Sequence, residues 1–222
     1  MATMYETIMN LPLFKGLSHE QVSAFLEKTH ITFSKYSDNE KIVSAEDRAD
    51  VVKCVISGKI RVAHRIGKDN TLKITELQHN NNVLGADRLF GMDTTCGFEA
   101  YAVGNVSTME FSKEQYMGLL SSGSIYLLNY LNFLSYRAQI RYSIFETYPE
   151  GGLKAICSRL IKAYCSKNSQ EISLSFDMNS FAKFCNMDTE TLYREMICLE
   201  NTGIIRRTPV GFIVLSLSEI ID

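Results

Sequence analysis

The residues best suited to chemistry in this 222-residue chain lie close to its C-terminus. Thr189, Glu190, Thr191, Tyr193 and Arg194 fall within six positions, and the pair Arg206-Arg207 begins twelve residues later. On a helix, Thr189, Glu190, Tyr193, Arg194 and Glu195 offer an exposed polar face. Such a face suits the edges of nucleic-acid bases better than a covalent reaction. Glu190 can accept from a cytosine amino group, and Arg194 can fork onto a guanine or a phosphate. Thr191 can donate to a phosphate, or its methyl can meet a thymine methyl. Lys183 upstream and Arg206 and Arg207 downstream are natural phosphate contacts. The chain holds no P-loop, G-x-G-x-x-G, H-E-x-x-H or G-x-S-x-G motif, so it is expected not to be an enzyme.

A set of short elements must position that face. Asp177 is placed to cap a helix over Met178–Cys185, and Asp188 a second over Thr189–Asn201 with Leu192, Met196 and Leu199 inward. The tight turn between them needs a residue at positive φ, and Asn186 is the most tolerant one there. Two helices so joined, the second one capped, form a helix-turn-helix. Leu153, Ile156, Leu160 and Ala163 define an earlier helix, and Gly203 should cap the end of the last. Ile205–Thr208 and Phe212–Leu215 flank Pro209-Val210-Gly211 as a hairpin, a wing. The expected order from Pro149 onward is helix, helix, helix, hairpin.

Pro149-Glu150-Gly151-Gly152 breaks the chain before this domain. Ahead of it, a long helix is expected over Ser124–Tyr148, with two apolar seams. One runs Leu127, Leu131, Leu134, Ala138 and Phe145; the other Tyr126, Tyr130, Phe133, Ile140 and Ile144. A polar stripe that includes Asn129 and Asn132 separates them. Two seams require burial on two sides: one against the preceding domain, the other against a second copy of the helix in a two-fold dimer. Before residue 120, Ser18 caps a short helix, His19–Lys28. Seven strand-like runs follow: Ile31–Phe33, Lys41–Val43, Val51–Ile56, Lys59–Ile66, Thr71–Leu77, Phe98–Val103 and Val106–Phe111. Ser57-Gly58 and Gly67-Lys68-Asp69-Asn70 read as turns between them. The expected fold is α+β: an antiparallel, jelly-roll-like β-roll over 1–120, a dimerisation helix over 121–148 and a winged helix-turn-helix over 149–222.

Bulk properties narrow the setting. With 45% hydrophobic and 22% charged residues the composition is that of an ordinary globular protein, and the net charge is −2. From Pro149 onward 8 Lys and Arg stand against 9 Asp and Glu, so any basic surface must come from placement. Six cysteines occur singly with no C-x-x-C, which leaves zinc unsupported and points to reduced thiols in the cytoplasm. The N-terminus has no basic region leading into an apolar core. The uncharged stretch Gln115–Tyr136 is interrupted by Ser and Asn and reads as an amphipathic helix, not a membrane span.

Taken together, the motifs resemble the cyclic AMP receptor protein / fumarate-nitrate reduction regulator (Crp/Fnr) superfamily of bacterial transcription regulators over nearly the whole chain. Leu11–Ser18 is similar to its opening helix, and Val55-Ile56-Ser57-Gly58-Lys59-Ile60-Arg61-Val62 to its "v-x-s-G-x-v-x-v" segment. Val83-Leu84-Gly85 stands where the pocket segment begins. Met187–Arg194 resembles the recognition helix, and Leu199–Ile205 the pattern "L-E-x-x-G-x-I". The resemblance implies a β-roll of the cyclic-nucleotide-binding type, a homodimer, a near-palindromic operator in double-stranded DNA and RNA polymerase as a further partner. It places Glu190 and Arg194 at base-reading positions, with Thr189 where the family has Arg.

The same resemblance implies an effector pocket at Gly85, Ala86, Cys96 and Gly97, and there the sequence departs from the pattern. Members that bind cyclic nucleotides have a Glu for the ribose and an Arg for the phosphate at the positions of Ala86 and Cys96. Loss of that countercharge removes the usual mode of cyclic AMP binding. No cysteine precedes Cys54, so a clustered iron-sulfur sensor is unsupported, and no cofactor is expected. Lone His64 and His79 read as structural, and Cys96, with no cation near it in sequence, as an inert filler. The effector, if the protein has one, is an unknown small molecule. The alternative reading is a ligand-binding β-roll whose C-terminal domain contacts another protein.

Overall fold

The computed structural model describes residues 3–67, 71–79, 82–146, 151–166 and 169–221, with the backbone alone from 141 to 146. The chain forms two compact units. One comprises Met1–Arg61 and His79–Ala138, the other Val62–Gln78 and Gln139–Asp222. Val62–Gln78, expected within the N-terminal domain, thus groups with the C-terminal half.

The first unit opens with α1 (Met4–Met9) and α2 (His19–Lys28). Each starts in a capping box, Thr3 with Glu6 and Ser18 with Gln21, which satisfies free backbone donors at the helix start. The strands follow: β1 (Thr32–Tyr36), β2 (Lys41–Val43), the first part of β3 (Val51–Ile66), β5 (Asn82–Leu84) and β6 (Phe98–Ser112); β4 (Leu72–His79) lies almost wholly in the second unit. Both β1 and β2 pair antiparallel with β6, Thr32 opposite Glu110 and Tyr36 opposite Val106, while β5 pairs antiparallel with β3. The rings of Phe14, Phe25 and Phe111 meet at centroid distances of 4.9 to 6.1 Å in the core. Then come α3 (Lys113–Ser122), capped by Ser112 with Gln115, and α4 (Ser124–Glu146). No helix among the described residues is long and apolar enough to cross a membrane.

Two expected breaks do not occur. Ser57-Gly58 is no turn, because β3 runs through it for 16 residues. Gly58 has φ +94°, and an added Cβ would collide with the Asn105 carbonyl oxygen. The glycine is needed for close backbone approach inside a strand, not for reversal. Likewise Phe98–Val103 and Val106–Phe111 belong to one strand, with Gly104 at positive φ between them. Of the turn expected at Gly67–Asn70, positions 68–70 lie outside the described residues.

The second unit comprises α5 (Gly152–Tyr164), β7 (Glu171–Phe176), α6 (Met178–Phe184), α7 (Thr189–Asn201), β8 (Ile205–Thr208), β9 (Gly211–Val214) and α8 (Leu217–Ile221). Its strands stand in the order β4-β7-β9-β8. Neither β7 nor α8 was expected. β7 pairs on one side with β9 and on the other with β4, Leu72 opposite Phe176 and Leu77 opposite Glu171. Glu76 of β4 is buried, and its carboxylate accepts from the Ser166 backbone N–H at 2.7 Å, from Gln78 Nε2 at 2.5 Å and from Ser169 Oγ. Three such donors offset much of the cost of burying its charge. The core gathers Leu153, Ile156 and Leu160 of α5 with Phe181, Leu192, Met196 and Phe212.

Candidate nucleic-acid interface

The helix-turn-helix forms as the capping residues dictate. Asp177 accepts from the Ser180 N–H at 2.9 Å. Asp188 accepts from the Thr191 N–H at 2.8 Å and from its hydroxyl at 2.7 Å. Those backbone donors hold both carboxyls below the usual carboxylate range. Between the helices Asn186 takes φ +54°, the left-handed turn expected of it. At the far end of α7, Gly203 donates to the Glu200 carbonyl and Ile204 to that of Leu199, both at 2.9 Å, closing a Schellman motif. Phe181, Ala182, Leu192, Met196 and Leu199 are buried, which fixes the two helices against the rest of the unit.

On the outer side Lys183, Thr189, Glu190, Tyr193, Arg194 and Arg206 are exposed, and Thr191 and Arg207 are half-buried. The contacts refine their expected roles. The Thr191 hydroxyl is engaged with Asp188 and accepts from Arg194 Nη2 at 3.2 Å. Thr191 therefore orients Arg194 along the helix. Arg207 is tied to Glu200, donating through its backbone N–H at 2.9 Å and through Nε at 2.5 Å. Its guanidinium also lies over the Tyr193 ring, 5.2 Å from the centroid. These contacts lower the Glu200 pKa and raise that of Arg207. Among the described residues Arg206 has no such carboxylate, and it is the more open of the two wing arginines.

Glu195 does not belong to the outer face. Its carboxylate turns to the start of α5 and accepts from the Leu153 N–H. Gly152, at φ +67°, leaves the space that this carboxylate fills. A negative group at a helix N-terminus meets free donors and a favourable dipole.

In the first unit, a cavity of about 270 Å³ is lined by Gly85 and Cys96 together with Asp47, Lys53, Leu84 and Phe98, among others. Of the four expected pocket residues, Ala86 and Gly97 do not line it. Ala86 is fully buried, and its carbonyl accepts from the Tyr130 hydroxyl of α4 at 3.0 Å. Folding brings to Cys96 two cations that its sequence neighbours lack, Arg88 and Lys53. Burial and Asp47 outweigh them and push the thiol up, so it is held as a neutral thiol. Arg88 pairs with Asp93 at 3.4 Å, and Lys53 with Glu110 at 3.7 Å. Among the described residues, no group of His, Cys, Asp or Glu is arranged to hold a metal ion.

Along α4 the two seams part. Tyr126 and Tyr130 are buried on the first unit, whereas Leu127 is 44% and Leu131 48% exposed. Asn129, in the polar stripe between the seams, donates to the Lys15 carbonyl at 2.8 Å. The seam residues Ile144 and Phe145 lie outside the described side chains. Sequence reasoning missed the roles of Glu76 and Glu200 and gave Asn129 no partner; Glu76 and Asn129 depend on partners distant along the chain, and Glu200 on the return of β8 past α7.

Several solved structures are similar to this chain. The catabolite activator protein of Thermus thermophilus is 20% identical over 95% of this chain and 98% of its own, with a TM-score of 0.46. The sensor domain of the transcriptional regulator DNR from Pseudomonas aeruginosa is 19% identical over 60% of this chain and 91% of its own, with a TM-score of 0.48. The N-terminal domain of a transcriptional regulator from Streptomyces coelicolor A3(2) is 16% identical over 66% of this chain and 99% of its own, with a TM-score of 0.49. No protein-family model and no curated protein matches the chain.

Proposed function

We propose that this chain is a sequence-specific DNA-binding transcription regulator that acts as a homodimer in the cytoplasm. The observation that carries the reading is the α6–α7 pair. It has two capped helices about a left-handed Asn186, with Glu190, Tyr193 and Arg194 exposed together and the β8–β9 wing following. A helix so presented can enter the major groove, with Glu190 and Arg194 on base edges and Thr189, Lys183 and Arg206 toward the backbone. Thr191 and Arg207 act through Arg194 and Tyr193. No catalytic step is assigned.

The exposed seam at Leu127 and Leu131 supports a two-fold dimer through α4, because its spacing continues a 3.5-residue repeat. Such a dimer reads a near-palindrome with half-sites about one helical turn apart. The cavity at Gly85 and Cys96 is the place for an unknown small-molecule effector, and the hydrogen bond from Tyr130 to the carbonyl of Ala86, the residue after Gly85, ties that segment to α4. Cyclic AMP in its usual mode is not that effector, since Ala86 and Cys96 stand where the ribose and phosphate partners would be. RNA polymerase is a further partner in this reading.

The direct test is Arg194→Ala in a gel-shift assay against a duplex that the wild-type protein binds. Removing a bidentate base contact should weaken binding by roughly tenfold or more. Unchanged affinity contradicts the assignment. A second reading, a C-terminal domain that docks on another protein, is favoured only by the absence of a basic excess after Pro149.

A further inference from the structure

The face formed by Glu190, Tyr193 and Arg194 is polar except at one place. Tyr193 puts a large aromatic ring in its middle and leaves it 49% exposed. An exposed tyrosine ordinarily samples several rotamers, and fixing it on binding costs entropy. Here the ring is already held. The Arg207 guanidinium lies 5.2 Å from its centroid, and Arg207 is itself anchored to Glu200 by its backbone N–H and its Nε. Glu200 sits two turns beyond Tyr193 on α7, so helix and wing strand β8 together clamp one face of the ring. A cation over an aromatic face is attractive, and a guanidinium held to a carboxylate through Nε, with the backbone N–H of the same residue on that carboxylate, has little freedom to leave.

A ring fixed in advance within a base-reading face has a restricted choice of target. The floor of the major groove presents donors and acceptors from every base pair, but only one apolar group, the C5-methyl of thymine. We infer that Tyr193 is a specificity-determining residue that packs on a thymine methyl in each half-site, and that Arg207 with Glu200 positions it there. The inference rests on the DNA-binding reading above and gives it a chemical preference that the resemblance does not supply. It also gives Arg207 a role other than phosphate contact.

The experiment selects bound duplexes from a random-sequence pool with the wild-type protein and with Tyr193→Ala and Tyr193→Phe. The wild type and Tyr193→Phe should both require thymine at one position of each half-site, since the ring is kept. Tyr193→Ala should accept any base there while holding the rest of the motif, which also shows that it is folded. Replacing that thymine by uracil in one half-site removes the methyl alone. Wild-type affinity should then fall by about fourfold, the worth of one buried methyl, and Tyr193→Ala should not respond. Arg207→Ala should lower the thymine-to-uracil ratio with the other positions intact, and adding it to Tyr193→Ala should lower the ratio no further. A motif that Tyr193→Ala reproduces position for position overturns the inference and leaves DNA binding standing. A pool in which the wild type enriches nothing overturns both.

Discussion

At the residue scale, the side chains that matter do two jobs, capping and presentation, and the sequence discloses the first better than the second. Asp177, Asp188, Asn186 and Gly203 each sit where backbone geometry demands that residue type, so all four were legible. Glu195 was misread as part of the outer face, and the contacts of Arg207 were not foreseen, because their partners, Leu153 and Glu200, are set by the packing of α5 and the return of β8. The caps carry a pH prediction. The Asp188 carboxyl lies below its ordinary value in the fold, so its contribution is complete above the unfolded value and is lost as pH falls through the folded one. Asp188→Ala should lower Tm at neutral pH by a few degrees, about the worth of one N-cap. The gap from wild type should close only in acid, beneath the usual carboxylate range. Parallel melting curves with a gap that persists in strong acid would assign the effect to something other than the charged cap.

At the element scale, helices bounded by caps were found at nearly their observed limits, as α2 and α7 illustrate. Strands were harder. Ser57-Gly58 carries turn residues, yet β3 continues because Gly58 serves a close approach to Asn105 on β6. β7 alternates Ile172, Leu174 and Phe176 and could have been recognised by that period, but it is short and its partner β4 lies far upstream. For α4, the division into a buried tyrosine seam and an exposed leucine seam gives a test. Leu131→Glu should leave the monomer folded, since the side chain is 48% exposed. It should shift the protein from dimer to monomer in sedimentation, because a charge on both copies of a coiled seam is repulsive and desolvated. A dimer that survives this substitution unchanged would place the interface elsewhere.

At the scale of the whole molecule, the chain passes between its two units at Arg61–Val62, Gln78–His79 and Ala138–Gln139. The expected joint at Pro149–Gly152 falls within the second unit, and residues 149 and 150 lie outside the described ones. None of the three crossings carries chain punctuation: those in β3 and β4 lie inside regular strands and that in α4 inside a regular helix, upstream of the expected joint. The near-neutral C-terminal half makes charge a poor guide to function, and presentation of α7 the better one. The central claim, sequence-specific recognition of DNA by a two-fold dimer, is tested most directly by selecting duplexes from a random pool with the wild-type protein across a salt series. The account predicts enrichment of a near-palindrome with half-sites about 10 base pairs apart and affinity that falls steeply with salt. A pool that stays random, or binding that ignores both sequence and salt, would contradict it.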